Sequence, residues 1–103
     1  MAYKSARSKA TDISTKVRKQ IHERDKCCRN CGSHYNLSIA HVFLSRAQGG
    51  LGCVENLVLM CYNCHMTMDQ GRVKDSAEIR LNMKSYLNRL YPNIDISNLK
   101  YKY

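Results

Sequence analysis

The sequence predicts a small α+β domain stapled by a metal ion, and three observations lead there. The chain has 103 residues, a length at which a single hydrophobic core is small and gains from a cross-link or a bound metal. Two Cys-x-x-Cys pairs, Cys28/Cys31 and Cys61/Cys64, have the spacing with which each loop offers two thiolates to one tetrahedral zinc ion. Short runs of strand-forming residues lie between segments with helical apolar stripes, the mixed pattern of an α+β fold.

Residues 1–10 are rich in Lys, Arg and Ser and read as a mobile basic arm that contacts phosphates or frays. Residues 11–103 then form the single domain. From Thr11 to Asp25 the apolar residues Ile13, Val17 and Ile21 recur every fourth position, one helical stripe with Lys16, Arg18, Lys19 and Arg24 outside it. Cys28-Arg-Asn-Cys31-Gly32 turns the chain, and Asn36–Phe43 carries the β-branched and aromatic residues of a strand. Ser45–Gly52 is a glycine-punctuated loop, and Leu57–Met60 is a short apolar run into the second cysteine pair. A helix is expected from near Tyr62 to about Gln70, with Gly71 as its stop.

Asp75-Ser-Ala-Glu78 opens the last helix, about 75–91, which places Ile79, Met83, Tyr86, Leu87 and Leu90 on one face and ends at Pro92. The tail, Ile94 to Tyr103, either packs across the domain or forms a stacking and phosphate-contact strip. Packing is the favoured reading, because apolar and aromatic side chains serve cores more often than contacts.

Seventeen Lys and Arg against eight Asp and Glu give a formal charge of +9, a strong positive field on so small a surface, which nominates a polyanionic partner. Six cysteines mean disulfides in a secreted chain and metal ligation in a cytosolic one. The N-terminal Met-Ala-Tyr-Lys-Ser-Ala-Arg has no apolar h-region, and no stretch approaches the roughly 20 apolar residues of a membrane span. The expectation is therefore a soluble cytoplasmic protein with reduced thiols and no membrane partner. That selects a structural Zn²⁺ over two disulfides or a redox dithiol. Cys27 is an alternative to Cys28 as ligand; otherwise Cys27 and Cys53 are small buried or half-buried side chains.

One further run carries a resemblance. Ile39-Ala40-His41-Val42-Phe43, then Ser45-Arg46-Ala-Gln-Gly-Gly, then Glu55-Asn56 through Cys61-Tyr-Asn-Cys64-His65 resembles the HNH endonuclease family, in the variety whose ββα unit is flanked by two Cys-x-x-Cys pairs. The match covers roughly residues 25–71, and the family spacing of fifteen residues from first His to Asn and nine more to the second His is met at 41, 56 and 65. The resemblance implies a zinc-stapled ββα-metal domain with flanking N- and C-terminal helices. The Tyr91-Pro92 helix end and the tyrosine-rich tail are similar to small phage and prophage members. It implies a metal-dependent DNA endonuclease, nicking or cleaving phosphodiester bonds in the cytoplasm of a bacterial host, with DNA and phage packaging components as partners.

Phosphodiester hydrolysis needs a water that loses a proton, and a neutral imidazole suits that task. By resemblance His41 is the general base, and His65 is a ligand of a catalytic Mg²⁺ or Mn²⁺. Asp69, four residues on from His65, faces the same way on a helix and can share the cation. Asn56 is the family's asparagine, which braces the metal-loop backbone or touches the metal; the brace is the favoured reading. Arg46 is a phosphate clamp or an ordinary solvated charge. His65 has a second reading as the fourth ligand of a Cys₃His zinc site, and His22 and His34 are assigned no role.

The family usually carries Asp, His or Glu just before the base histidine, and here that residue is Ala40, which coordinates nothing. Fewer side chains plus waters and the scissile phosphate would then hold the cation, which suits Mg²⁺ or Mn²⁺. The same departure opens an alternative, a non-catalytic zinc-containing DNA-binding module that has lost activity. A protein-interaction zinc ribbon would explain the staple but neither the charge nor the histidines. With no recognition helix identified, binding is expected to depend on phosphates and steeply on salt.

Overall fold

A computed structural model describes residues 6–101, with side chains described from residue 9 onward. The order is α1 (Ala6–Thr11), α2 (Thr15–Asp25), β1 (Leu37–His41), β2 (Leu57–Cys61), α3 (Tyr62–Gln70) and α4 (Val73–Leu90), with short 3-10 turns at Arg46–Gln48, Val54–Asn56 and Ile96–Leu99. Half of the expected basic arm, residues 1–5, lies outside the described residues; the other half belongs to α1. The first long helix also starts later than its stripe suggests. α1 ends at Thr11, and Ser14 caps α2, its Oγ accepting from Val17 N at 3.1 Å.

The two strands pair antiparallel with Leu37 opposite Cys61, Ser38 opposite Met60, Ile39 opposite Leu59, Ala40 opposite Val58 and His41 opposite Leu57. Every residue of β2 is buried, because both faces of the ribbon are covered. Ala40, Val42, Val58 and Met60 meet Met68 of α3 and Met83 and Leu87 of α4 on one face. Ile39, Leu57 and Leu59 meet Ile21 of α2 on the other, with Ile13 and Val17 at the edge. This is why β2 reads as a continuous apolar run rather than an alternating one. Among the described residues β1 pairs with β2 and with no other strand.

Arg24 departs from its expected place outside the helix stripe. Asp25 is 1% exposed, and a buried carboxylate is tolerable only when paired and hydrogen-bonded. Arg24 supplies two bonds to it, at 2.6 and 2.9 Å, and also donates to Val54 O and Leu57 O. Leu59 N at 2.9 Å and the Tyr86 hydroxyl complete the carboxylate's shell. One ion pair thereby ties α2 to β2 and α4.

α4 begins two residues earlier than expected and buries Met83 and Leu87, while Leu90, expected on the packing face, is 42% exposed. Beyond it the tail packs across the glycine loop through its backbone. Leu51 N donates to Leu99 O and Tyr101 N to Gly49 O, both at 2.8 Å, around an antiparallel Gly50/Lys100 bridge. Leu99 is buried; residues 102–103 lie outside the described residues. Among the described residues, no helix is long and apolar enough to cross a membrane.

Candidate functional site

The two Cys-x-x-Cys pairs meet. The first follows α2 as a tight knuckle, in which Gly32 N donates to Cys28 O at 2.8 Å and Cys28 N to Ser33 O at 2.9 Å. Gly32 has φ +83°, the left-handed conformation glycine adopts without penalty. In the second pair, Cys61 is the N-cap of α3 and Cys64 lies in its first turn. The sulfurs of Cys28, Cys31, Cys61 and Cys64 all lie within 4.8 Å of one another, and Cys31 and Cys61 Sγ are 3.6 Å apart. Zn–S bonds of about 2.3 Å in a tetrahedron put sulfurs roughly 3.8 Å apart, so the four thiols fit a structural Zn²⁺. Cys27 and Cys53 are outside the cluster.

The environments of the thiols differ. Burial raises Cys28, but backbone donors from Cys61, Cys31 and Asn30 outweigh it and bring the thiol down to about 7. Burial and the neighbouring Cys61 and Cys31 push Cys64 up to about 12, against the bond from Asn30 Nδ2 at 3.3 Å. One thiol thus ionises readily while a second resists, because backbone donors favour the Cys28 thiolate and burial disfavours that of Cys64; a cation among the four favours the thiolate at each.

The second feature is a cleft of about 420 Å³. Ile13, Ile39 and His41 line it from the α2 side, Arg46 from the loop, and His65, Asp69 and Arg80 from α3 and α4. The lining thus draws on β1, the glycine loop, α3 and α4 together. Within it His65 Nε2 lies 3.2 Å from Asp69 Oδ2, one helical turn apart. Two ligands at about 2.1 Å in adjacent octahedral positions are roughly 3.0 Å apart, so this pair could hold one divalent cation. The zinc cluster is complete with four cysteines, and His65 is committed elsewhere, its Nδ1 lying 2.7 Å from Ser38 Oγ.

His41 Nε2 lies 3.3 Å from the carbonyl of Thr11. A carbonyl only accepts, so Nε2 carries the hydrogen and Nδ1 the lone pair. Burial holds the imidazole below its ordinary 6.5, helped by the positive charge of Arg46 and by His65, while the Thr11 carbonyl and Asp69 pull the other way. Arg46 is ion-paired with Asp12 in the α1–α2 connection. That connection is pressed onto the loop so closely that a Cβ on Gly52 would collide with the Asp12 carbonyl.

Asn56 is 0% exposed, and its amide is spent on the loop. Oδ1 accepts from Phe43 N and Leu44 N at 2.9 and 3.1 Å, and Nδ2 donates to Leu44 O and Leu51 O at 3.0 and 3.1 Å. The side chain therefore holds the backbone leaving His41 and presenting Arg46. Asn56→Ala should destabilise the domain by about 2–4 kcal/mol, since several buried backbone groups lose their partner at once. A urea melt measures this, and a midpoint equal to the parent's would remove Asn56 as the loop's support.

Ala40 is 1% exposed and packed in the core, so the position before His41 serves packing. Sequence reasoning missed three participants. Ser38 lies two residues before Ala40 without a motif to mark it. Arg80, three residues before Met83 on α4, donates to Val42 O at 2.7 Å and stands 3.7 Å from Asp69. The third, the Thr11 carbonyl, is a backbone group that no sequence pattern announces. No family model, curated protein or solved structure matches this chain.

Proposed function

We propose that this chain is a metal-dependent DNA endonuclease of the HNH type that hydrolyses phosphodiester bonds with His41 as general base. The observation that carries the reading is the convergence of His41, the His65–Asp69 pair and two arginines on one cleft, in a chain of net charge +9. His41 donates from Nε2 to the Thr11 carbonyl, which fixes the ring and leaves Nδ1 to take a proton from the attacking water. Arg80, anchored on Val42 O, and Arg46 at the rim offer guanidinium groups to phosphate oxygens. For Arg46 this means exchanging Asp12 for the phosphate. His65 and Asp69 would hold Mg²⁺ or Mn²⁺, which when bound supplies Lewis-acid stabilisation of charge on the phosphoryl and leaving oxygens. With Ala40 in the core, waters and the scissile phosphate would supply the remaining ligands.

Ala40 also favours a second reading, a zinc-containing DNA-binding module without activity. A plasmid-nicking assay on zinc-loaded protein with Mg²⁺, Mn²⁺ and EDTA arms separates the two. Open-circular plasmid is expected with either cation and none in EDTA; a wild type that binds DNA but cuts none with any cation leaves the binding module. The pH profile gives a second check. The base works unprotonated, its burial keeps it below 6.5, and activity is lost as pH falls through that lowered value. The acid limb should therefore lie below about 6.5, and a limb above 7 would speak against His41.

A further inference from the structure

We infer that Ser38 is a positioning residue for the cation site: its hydroxyl takes the Nδ1 hydrogen of His65 and thereby presents Nε2 as a ligand beside Asp69. The inference rests on the reading that His65 and Asp69 hold a divalent cation. It comes from three distances on one line of groups. Ser38 Oγ is 3.4 Å from Met60 O and 2.7 Å from His65 Nδ1, and His65 Nε2 is 3.2 Å from Asp69 Oδ2.

A serine hydroxyl has one hydrogen and two lone pairs, and a neutral imidazole has one N–H and one lone pair. For a neutral ring the line therefore has two arrangements. In one, Ser38 donates to Nδ1, and Nε2–H donates to the Asp69 carboxylate. In the other, Ser38 turns its hydrogen to Met60 O and accepts from Nδ1–H, which leaves the Nε2 lone pair facing a carboxylate oxygen. Two acceptors at that separation repel unless a cation lies between them, so a bound cation selects the second arrangement. The hydroxyl can serve both because it exchanges the roles of donor and acceptor.

The strand ladder makes the exchange local. Ser38 and Met60 are direct cross-strand partners, so the carbonyl that receives the hydroxyl hydrogen is held by the same register that aims Ser38 at α3. Ligating histidines are generally oriented by a partner on their other ring nitrogen, whose loss costs about 10–100-fold in metal affinity. An alanine at position 38 removes that partner. A threonine keeps the hydroxyl, and its β-branch suits a strand.

The test is Mn²⁺ binding followed by electron paramagnetic resonance on zinc-loaded full-length protein, for the wild type, Ser38→Ala, Ser38→Thr and His65→Ala. Ser38→Ala should bind Mn²⁺ about 10–100-fold more weakly with unchanged zinc content, Ser38→Thr should bind within a few-fold of the wild type, and His65→Ala should lose the site. Nitrogen chemical shifts of the His65 ring in the Mg²⁺-loaded wild type should report hydrogen on Nδ1. Equal Mn²⁺ affinity in the wild type and Ser38→Ala overturns the inference, as does a wild type whose Mn²⁺ binding ignores His65→Ala. Cleavage does not enter these measurements. A chain that shows the Ser38 dependence and cuts no DNA refutes the nuclease and keeps the positioning role, whereas one that cuts DNA with Ser38 indifferent does the reverse.

Discussion

Removing zinc from the four-cysteine cluster should unfold the domain. The cluster joins the knuckle after α2 to the junction of β2 and α3, so it closes the segment that holds both strands. Structural zinc sites of this ligand class contribute about 10–16 kcal/mol of apparent binding free energy at neutral pH, whereas net stabilities of small domains are about 5–15 kcal/mol. The metal's share is thus as large as the whole margin. Elemental analysis should find one zinc per chain. Excess chelator, or Cys61→Ser, should abolish the cooperative thermal transition seen by circular dichroism. Cys53→Ser, outside the cluster and with a thiol that burial pushes up to about 11, should keep both zinc and the transition. Protein that melts unchanged after its zinc has been removed would refute the staple.

The parts legible in the sequence were those carried by local spacing. Two Cys-x-x-Cys pairs need only a chain that brings two loops together, and α3 begins and ends at Tyr62 and Gln70 as its flanking residues suggest. His65 and Asp69 share a face because four residues make about one helical turn. What the sequence does not display are partnerships across the chain. Arg24 looks like one more solvated cation on α2 until it closes on its neighbour Asp25 and Val54, Leu57 and Tyr91 arrive from three other segments. Arg80 and Ser38 have the same character, since each acts on a residue brought to it by packing. The α1–α2 break was hidden because Ile13, Val17 and Ile21 keep fourfold spacing across it, and Ser14 is an ordinary helix residue until its hydroxyl caps Val17.

His41→Ala should abolish cleavage while leaving DNA binding nearly intact, because the two activities draw on different physics. Binding comes from many Lys and Arg side chains, each displacing condensed counterions, so affinity should fall steeply with salt in wild type and variant alike. One neutral imidazole adds little to that. Cleavage needs a lone pair placed against the attacking water, and a positioned general base contributes about 10²–10⁴-fold to the rate. The structural cost of the substitution is small, since the ring's side-chain hydrogen bond to Thr11 O is long at 3.3 Å and His41 ends its strand. Zinc content and melting temperature measured beside turnover distinguish a chemical defect from unfolding. Single-turnover nicking should fall by about 10²–10⁴-fold at unchanged DNA affinity and an unchanged slope of affinity against salt. A His41→Ala protein that nicks as fast as the wild type would transfer the base to another group, and one that loses DNA binding in parallel would make His41 part of the docking surface instead.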